Sequence, residues 1–426
     1  MKVFRAVWLA LALVACCAPV AWGEGFALNE WSARGLSLAG GMVGRADDVS
    51  AIAYNAAGIT QLPGTHLMGG FALISPAGSI TTQSGGRETN TYTKPALWNA
   101  PHAYASHQLS DNAWIGLGVF SRFGLGNSYA GEWAGKSNVY DIGVQTISFV
   151  PTLAIKFNDT FSASVGVEAM NAHMYMGNKI YTVPPSNPGS PFYNDMQLEG
   201  NGWGYGAHLG LHMRLNDQWS VGLSYKSQVT MNINGDVEFA TNGGNLAART
   251  LHLPQAADCS ANTVLQLPDS AALGVAYKPL DNLSFELGAV WTRWSTYNAL
   301  NIYMDNGYDS INNKEWRDGW NFNASVEYKP LDWWALRAGF AYETPVVNER
   351  HADFMIPTNG RQMLSLGTGF NWDNWTVDLA YAHLWINSLD YGTTDAAGIS
   401  GSAGITGGNS KDVSANIYML SVGYTF

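Results

Sequence analysis

The sequence predicts an all-β fold: a 14-stranded antiparallel transmembrane β-barrel with an N-terminal plug inside its lumen. Charged residues make up only 13% of the chain, about half the usual share, while Trp, Tyr and Gly number 17, 20 and 47. Beyond residue 23, no segment approaches the roughly 18 consecutive apolar residues of a transmembrane helix. Short polar turns alternate with long irregular connections, which is typical of barrel strands that are apolar on one face. A soluble β-sandwich is the alternative interpretation.

Residues 1–23 have the pattern of a secretory signal peptide. Two basic residues precede an apolar run, and small residues stand at the two positions that a signal peptidase reads. This predicts cleavage before Glu24. An alternative is a lipobox that ends at Cys16 and leaves a lipid on that residue.

Charge and cysteine content exclude several classes of function. Removing residues 1–23 takes away two basic and no acidic residues, which leaves 20 basic and 33 acidic residues and a net charge of −13. That balance argues against a nucleic-acid partner and against binding to a membrane surface through basic residues. Cys259 is then the only cysteine, so no internal disulfide forms. No Cys or His spacing suggests a metal site, and we expect no cofactor.

Residues 24–62 differ from the rest of the chain. The stretch from Gly25 to Gln61 is rich in Gly and Ala and lacks the period-two alternation of a strand. At most it allows short, broken helical turns. We interpret residues 24–62 as a hatch inside the barrel and residues 63–426 as the barrel itself.

A short turn recurs six times after the hatch. Each copy contains Asp or Asn, which tolerate tight-turn conformations, and most have Trp or Phe alongside, as expected at a membrane interface. The copies lie at residues 109–114, 157–161, 215–219, 278–283, 329–334 and 371–375. Six turns join twelve strands, and strands near 66–74 and 413–426 bring the total to fourteen. An even count places both termini on the periplasmic side.

The connections at the opposite ends of the strands are longer and irregular, which is the asymmetry of outer-membrane barrels. They span residues 75–96, 122–138, 181–200, 239–263, 296–315 and 387–412. Two of them carry apolar groups. These are Phe123, Leu125, Tyr129 and Trp133 in one loop and several residues between 181 and 193 in another. Such groups form either a binding patch or a cap in which the loops pack on each other.

Alternation assigns the faces of the strands. In the last strand, Tyr418, Leu420, Val422, Tyr424 and Phe426 form the lipid-facing set. The same count turns a set of charged residues inward: Glu168, Glu286, Arg317, Glu327, Arg337, Glu343, Arg361 and Asp378. A basic side chain on the lipid face near the midplane would cost about 2–4 kcal/mol, so any barrel should sort its charges in this way.

The three arginines of this set lie at different heights in the barrel. Arg337 lies toward the short turns and near Glu327, which favours a structural ion pair. Arg317 and Arg361 lie toward the long loops, where a ligand would enter. There a guanidinium either forms a buried ion pair or binds a ligand carboxylate in bidentate fashion. No GxSxG, HExxH or P-loop motif is present, so we expect no enzyme and no catalytic residues, although an enzyme acting on lipid would need only a Ser–His pair near the rim.

At this point the sequence resembles a known family, the outer-membrane long-chain fatty acid transporters and their aromatic-hydrocarbon-uptake relatives (OMPP1/FadL/TodX). The resemblance covers essentially the whole mature chain in order. Its motifs are Asn29-Glu30-Trp31-Ser32, Ala46-Asp47-Asp48, residues 54–60, Phe123-Gly124-Leu125, Trp316-Arg317-Asp318, Arg337-Ala338-Gly339, residues 343–346, and Ile356-Pro357 with Arg361.

The resemblance implies a route for a hydrophobic ligand. Outer loops capture it, an interior pocket holds it, and it leaves sideways into the bilayer through a kinked strand. By position, Phe123, Leu125, Tyr129 and Trp133 match the capture loop. Arg317 matches a basic residue of the inner pocket, and Arg361 joins it as a candidate. Gly116 and Gly118 match the kinked strand, where glycine suits a bend.

One departure concerns the hatch. The family usually has Asn-Pro-Ala where this chain has Asn55-Ala56-Ala57, followed by Gly58. Without the proline, the fixed φ is lost and an N–H is restored, so the local turn could be looser. These four residues are the candidate gate.

The expected function is passive outer-membrane uptake of long-chain fatty acids or similar hydrophobic molecules. Transfer from water to bilayer is downhill by about 0.8 kcal/mol for each CH₂, so no energy source is needed. Uptake of aromatic hydrocarbons is the alternative, followed by a general porin or a lipid-modifying barrel enzyme. The expected partners are the ligand, outer-membrane lipid and the barrel-insertion machinery, and the barrel is expected to be a monomer.

Overall fold

The computed structural model describes residues 25–182, 189, 192–240, 257–307, 309–391 and 404–426. The predicted signal peptide and the lipobox alternative at Cys16 lie outside the described residues. Parts of the long connections, residues 183–188, 190–191, 241–256, 308 and 392–403, lie outside them too.

Twenty strands make up the described sheet. They are β1 Thr65–Ser84, β2 Arg87–Tyr92, β3 Trp98–Ser110, β4 Ala113–Phe120, β5 Gly124–Ser128, β6 Asp141–Lys156, β7 Phe161–Thr182, β8 Phe192–Arg214, β9 Trp219–Lys226, β10 Val229–Ala240, β11 Cys259–Leu267, β12 Ser270–Leu280, β13 Leu283–Thr292, β14 Ala299–Met304, β15 Ser310–Asn313, β16 Gly319–Leu331, β17 Trp334–Glu343, β18 Arg361–Trp372, β19 Trp375–Ile386 and β20 Ile405–Thr425. The helices are Ala33–Ser37 and Ala51–Tyr54, with 3₁₀ helices at Ala56–Gln61, Trp294–Thr296 and Glu349–His351. No helix among the described residues is both long enough and apolar enough to cross a membrane.

The sheet closes into a barrel of fourteen antiparallel wall strands. The first and last strands pair along their length, from His66 opposite Thr425 to Ser84 opposite Ile405. Five walls each consist of two consecutive segments: β4 and β5, β9 and β10, β11 and β12, β13 and β14, and β15 and β16. β2 forms a hairpin with the end of β1, from Ser79 opposite Tyr92 to Ser84 opposite Arg87. The predicted fold is confirmed, and each of the six predicted short turns joins two neighbouring strands.

Several strands are longer than the sequence predicted. β1 continues to Ser84 and β20 begins at Ile405. β7 and β8 pair residue by residue from Phe161 opposite Met213 to Thr182 opposite Phe192. These extensions fall in segments predicted as loops. Beyond the membrane both faces of a strand can be polar, so the ladder continues where the alternation of side chains ends.

The alternation itself is confirmed. On β20, Tyr418 is 51% exposed on the outer surface, whereas Met419 is 4% exposed and faces the interior. The interior is filled by residues 25–62, which we call the inner segment, and nearly all of its side chains are buried. Glycines of the wall permit this close packing. A Cβ on Gly222 of β9 would lie 1.8 Å from the carbonyl oxygen of Val43.

Candidate functional site: an interior cavity beside a broken wall strand

Residues 33–62, which we call the body of the inner segment, are tied to the wall by buried charges. Arg34 Nε lies 2.9 Å from Glu327 Oε2, and Arg34 Nη1 lies 2.7 Å from Asp47 Oδ1. Arg337 donates to the same Glu327 carboxylate at 2.6 Å and to Asp378 at 2.6 Å. The ion pair of Arg337 with Glu327 agrees with the structural interpretation of this arginine. The network fixes the body against β16, β17 and β19.

A second anchor is Glu286 on β13. Its carboxylate accepts hydrogen bonds from the backbone N–H groups of Val43, Gly44 and Arg45 at 2.9, 2.9 and 2.8 Å. Charge-assisted bonds of this kind are stronger than bonds between neutral groups. They hold a turn of the body directly on the wall.

The candidate gate residues are part of this anchored body. Asn55 is fully buried, and its Nδ2 donates to the carbonyl oxygens of Val43 and Leu211 at 3.0 and 2.9 Å. Ala56 and Ala57 begin the 3₁₀ helix, where a proline at the first position would lose no internal bond. A Cβ on Gly58 would lie 2.2 Å from the Ala46 carbonyl oxygen, so glycine is required there.

Residues 25–31 form a second part of the inner segment, which we call the arm. The Phe26 ring packs among aromatic rings that come from three parts of the wall. Its centroid lies 4.8 Å from Trp294, 5.6 Å from Tyr297, 5.9 Å from Trp316 and 6.2 Å from Phe123. No role was predicted for Phe26 from the sequence. Its signal was an aromatic residue at the start of a segment that lacks the alternation of a strand.

The arm makes strand-like backbone bonds with residues 121–124, which lie between β4 and β5. Leu28 N donates to the Arg122 carbonyl oxygen at 2.8 Å, and Gly124 N donates to the Phe26 carbonyl oxygen at 3.0 Å. Trp31 Nε1 donates to the Ser121 carbonyl oxygen at 2.8 Å. Residues 121–124 therefore bond to the arm inside the barrel.

The wall is broken at the same place. The ladder between β3 and β4 runs from Ser110 opposite Ala113 to Ala103 opposite Val119 and then ends. β5 pairs with β6, and in the part of the chain that the structure describes it has no ladder with β3. Within the described ranges, residues 98–102 of β3 have a ladder with β1 and none with a second strand. This part of β3 includes Pro101, which has no N–H to donate to a neighbour. The result is a gap between β3 and β5.

The gap does not lie at the predicted glycines. Gly116 and Gly118 are paired on both sides, with β3 and with β6. A Cβ on either would lie 2.8 Å from the side chain of Ile52. The prediction of the strand is consistent with the structure, but the predicted position of its bend is wrong. These glycines provide space for the body, whereas the break follows Phe120.

A cavity of about 660 Å³ fills the space beside the arm and continues through the gap. Its inner lining includes Phe26, Glu30 and Arg361, and its outer lining includes Pro101, Gln145 and His173 from the wall. Pro101 and Gln145 are exposed at the outer surface. The cavity therefore connects the barrel interior with the lipid-facing side.

Trp98 partly covers this opening. Its ring lies against the backbone of β5, because a Cβ on Gly126 would be 2.1 Å from Trp98 Cε2. The indole Nε1 has no hydrogen-bond partner.

Arg361 lines the cavity, as the sequence placed it, and forms an ion pair with Glu343 on β17. Its two Nη groups also lie 3.5 Å from the carbonyl oxygens of Gly25 and Ala27. The guanidinium thus supports the arm and lines the cavity.

The inward orientation predicted for Arg317 is wrong. The side chain is exposed and is not part of the cavity lining. Regular strand begins only at Gly319, and Glu315 has a positive φ of 45°, so the alternation of β16 cannot be extended back to residue 317. Lys314 and Trp316 are the buried residues of this stretch, and Lys314 forms an ion pair with Asp353.

Lys314 borders a second apolar space between the arm and the wall. Phe26, Leu125, Tyr297 and Met355 also line it, and they leave a void of only about 10 Å³. Phe26 and Leu125 line the large cavity as well. A displacement of Phe26 would therefore join the two spaces.

The predicted capture residues divide into two pairs. Phe123 and Leu125 line the large cavity, whereas Tyr129 and Trp133 do not. Tyr129 stacks on Trp133 with centroids 4.1 Å apart, and Trp133 packs on Phe354 at 5.1 Å. Tyr129 and Trp133 therefore agree with the alternative in which loop residues pack on each other as a cap, because stacking removes their rings from water.

Within the described residues, no group of three or more His, Cys, Asp or Glu side chains is arranged to hold a metal ion. The site is an apolar cavity with a few charged groups at its edge, and the arm and the Trp98 ring form two of its boundaries.

Comparisons with known proteins agree with this architecture. Residues 14–426 match the family described as outer membrane protein transport protein (OMPP1/FadL/TodX). A long-chain fatty acid transport protein of Salmonella typhi is 26% identical over 393 residues, which covers 87% of this chain and 90% of that protein. The crystal structure of a Pseudomonas aeruginosa FadL homologue superposes with a TM-score of 0.82 at 21% identity, covering 95% of this chain and all of the other. The Ralstonia pickettii toluene transporter TbuX gives a TM-score of 0.63 at 15% identity, with 89% and 94% covered. The two structures support the fold.

Proposed function

The chain belongs to the outer membrane protein transport protein family OMPP1/FadL/TodX, and on that basis we propose that it takes up hydrophobic small molecules and releases them sideways into the outer membrane. The observation that carries this proposal is the continuous cavity of about 660 Å³, which runs from the arm through the gap between β3 and β5. This volume lies within the range that is typical of pockets for small-molecule ligands.

The proposed route has three steps. A ligand enters between the outer loops and contacts Phe123 and Leu125. It then fills the cavity and displaces the Phe26 ring into or out of the smaller void. Finally it passes Trp98 and leaves between β3 and β5 into lipid. The free energy of an apolar ligand falls at every step, because more of its CH₂ groups are removed from water. Burying one CH₂ group contributes about 0.8 kcal/mol.

The proposal divides the mature chain into a hatch at residues 24–62 and a barrel at residues 63–426. The body of the hatch blocks the lumen, so the sideways route replaces an axial pore. We propose that the barrel acts as a monomer and reaches the membrane through the barrel-insertion machinery. Steady single-channel conductance in planar bilayers would contradict the blocked lumen and favour a porin. Turnover of labelled phospholipid would favour a lipid-modifying enzyme.

We propose long-chain fatty acids as the first ligand class, because the S. typhi relative carries that name and Arg361 offers a guanidinium at the cavity wall. Aromatic hydrocarbons are the second class, because TbuX is a toluene transporter. The two classes differ in their need for a positive charge. The carboxylate role predicted for Arg317 stays a prediction from the resemblance.

Replacing both residues of the Arg361–Glu343 ion pair distinguishes fatty acids from aromatic hydrocarbons as ligands. The double variant Arg361→Gln with Glu343→Gln removes both charges of this ion pair, so neither partner is left buried without the other. If Arg361 binds the carboxylate, we expect oleate to bind about tenfold more weakly, since a hydrogen bond to a charged group contributes about 1.5–3 kcal/mol. Toluene binding should not change. Radiolabelled oleate and toluene binding to the purified protein would measure this.

Arg317→Ala is the matched control, because its side chain is exposed and outside the cavity lining. It should bind both ligands as the wild type does. A specific loss of oleate binding in Arg317→Ala, with none in the Arg361 pair, would instead support the role that the resemblance gave to Arg317. Failure of the wild-type protein to bind or take up either ligand would contradict the proposed function.

A further inference from the structure

A buried charged cluster lies at the break in the wall. Arg122 follows Ser121 between β4 and β5, and its side chain is only 3% exposed. Its Nη1 donates to Glu168 Oε2 on β7 at 2.5 Å, and that carboxylate is fully buried. His208 Nε2 on β8 lies 3.0 Å from the same oxygen. We call these three residues the Arg122 cluster.

The guanidinium of Arg122 also reaches two other interruptions of the wall. β9 and β10 are separated at Ser227, and β11 and β12 are separated at Pro268. Arg122 Nη1 lies 3.5 Å from the Ser227 carbonyl oxygen, and Nη2 lies 3.4 Å from the Pro268 carbonyl oxygen. One side chain therefore joins the break beside the cavity to breaks in two other walls.

These contacts lie on walls that are three to six positions away from β3 around the barrel. A ladder that continued beyond Ala103 opposite Val119 would place Ser121 opposite Pro101 and Phe123 opposite Asn99. Residues 121–124 instead turn inward, where their backbone bonds to the arm and the Arg122 side chain bonds to Glu168. The cluster thus holds this segment on the side that leaves the gap open.

We propose that Arg122 is a positioning residue for lateral release. Through Glu168 it holds residues 121–124 inside the lumen and so prevents β3 and β4 from closing the wall. A buried ion pair is a weak source of stability, because desolvation offsets the attraction between the charges. The Arg122–Glu168 pair therefore serves to select one conformation of residues 121–124, the one in which they lie inside the lumen. This inference rests on the proposed function.

The test uses variants that remove or weaken the bond between Arg122 and Glu168 without leaving either group charged and unpaired. The double variant Arg122→Gln with Glu168→Gln neutralises both groups, and Arg122→Lys keeps the charge but cannot bond Glu168 and the Pro268 carbonyl with one fork. The matched control is Arg293→Gln with Asp269→Asn. In that pair Arg293 Nε lies 2.6 Å from Asp269 Oδ1 at the β11–β12 break, and its hydrogen bonds within the described chain are not to residues 121–124.

Uptake and binding are measured separately with radiolabelled oleate and toluene. Uptake is measured in a bacterial host that lacks its own transporter of this family, and binding is measured on the purified full chain. In the double variant we expect uptake of both probes to fall about tenfold while their Kd values stay unchanged, because release depends on an open wall and binding does not. Arg122→Lys should give an intermediate uptake rate, and the control pair should match the wild type.

Three outcomes would overturn the assignment: unchanged uptake in the double variant, a parallel loss of uptake and binding, or an equal loss in the control pair. If the double variant does not assemble, Arg122→Lys is judged against the wild type by the same criteria. A wild-type protein that takes up neither probe would contradict the proposed function itself. That outcome is distinguishable, because it is seen before any variant is compared.

Discussion

The body and the arm of the inner segment are neighbours in sequence but are held in different ways. The body is fixed by ion pairs and charge-assisted hydrogen bonds through Arg34, Glu286 and Asn55. The arm is held by aromatic contacts of Phe26 and by hydrogen bonds to residues 121–124, Tyr54, Tyr104 and Arg361. The arm lines the large cavity, whereas no residue of the body does.

This difference separates a fixed part from an adjustable one. Breaking a buried ion pair leaves an uncompensated charge, so the body has no low-energy alternative position. An aromatic pair contributes about 0.5–1.5 kcal/mol beyond its burial, and an apolar ligand can replace such a contact with a similar one. We infer that the ligand moves the arm, not the body that contains the candidate gate residues Asn55–Gly58.

The largest expected effect is on the body. Glu327→Ala leaves Arg34 and Arg337 buried without this partner, which should lower the free energy of unfolding by about 3–5 kcal/mol. Urea unfolding of the purified barrel in lipid would measure the loss. Asp217→Ala is the control, because its exposed pair with Arg214 contributes at most about 1 kcal/mol. Equal stability of the two variants would show that the body is not held by charge.

The next largest effect should be confined to the arm. Phe26→Ala removes the centre of the aromatic cluster, which should reduce the local stability of residues 25–31 by about 3 kcal/mol. Backbone amides of the arm should then exchange hydrogen faster, while amides of residues 33–62 keep their protection. Hydrogen exchange followed by mass spectrometry distinguishes the two parts. A similar increase in both would mean that arm and body form one cooperative unit.

A smaller effect is expected at the opening itself. Trp98→Ala removes the ring that lies against Gly126, so the passage widens and uptake of a bulky hydrophobic ligand should rise by about threefold. Uptake of toluene should change less than uptake of oleate. Trp203→Ala, on the exposed outer surface of β8, is the control. Slower uptake in Trp98→Ala would show that the ring binds the ligand and does not obstruct it.

The smallest effect concerns Glu132, which lies in a loop outside both the arm and the body. Hydrogen bonds from Lys136 and then Lys179 hold the pKa of Glu132 at about 2, below its usual value of 4.5. The stabilisation is therefore complete above about pH 4.5 and is lost as pH falls toward 2. It is small because the carboxylate is exposed. The Tm of Glu132→Gln should lie slightly below the wild type at pH 6 and coincide with it at pH 2, and an equal difference at both pH values would contradict this.

Much of the architecture was predictable because barrels repeat simple rules. Turn residues recur at the periplasmic ends, and alternation places Glu168, Glu286 and Glu327 on the inner face, where all three are buried. The resemblance also predicted a kinked strand that leads into the capture loop. These features depend on local sequence and on period-two geometry, so they can be read without three-dimensional contacts.

The remaining features depend on contacts between distant segments. Arg317 was assigned inward because alternation was extended beyond Gly319, where the strand begins. Gly116 and Gly118 were assigned to a bend because nothing in the sequence shows that Ile52 packs against them. The cavity walls, the Phe26 cluster and the Arg122 cluster join residues up to several hundred positions apart, which no local pattern reveals.

The central claim is that a ligand leaves through the gap between β3 and β5. Cysteines at positions 98 and 126 can be joined across this gap by a short reducible thiol cross-linker, and cysteines at 103 and 119, which face each other in the intact ladder, provide the control. We predict that cross-linking 98 to 126 stops uptake of radiolabelled oleate without weakening its binding, that reduction restores uptake, and that the control cross-link has no effect. Undiminished uptake with the 98–126 cross-link in place would contradict the account.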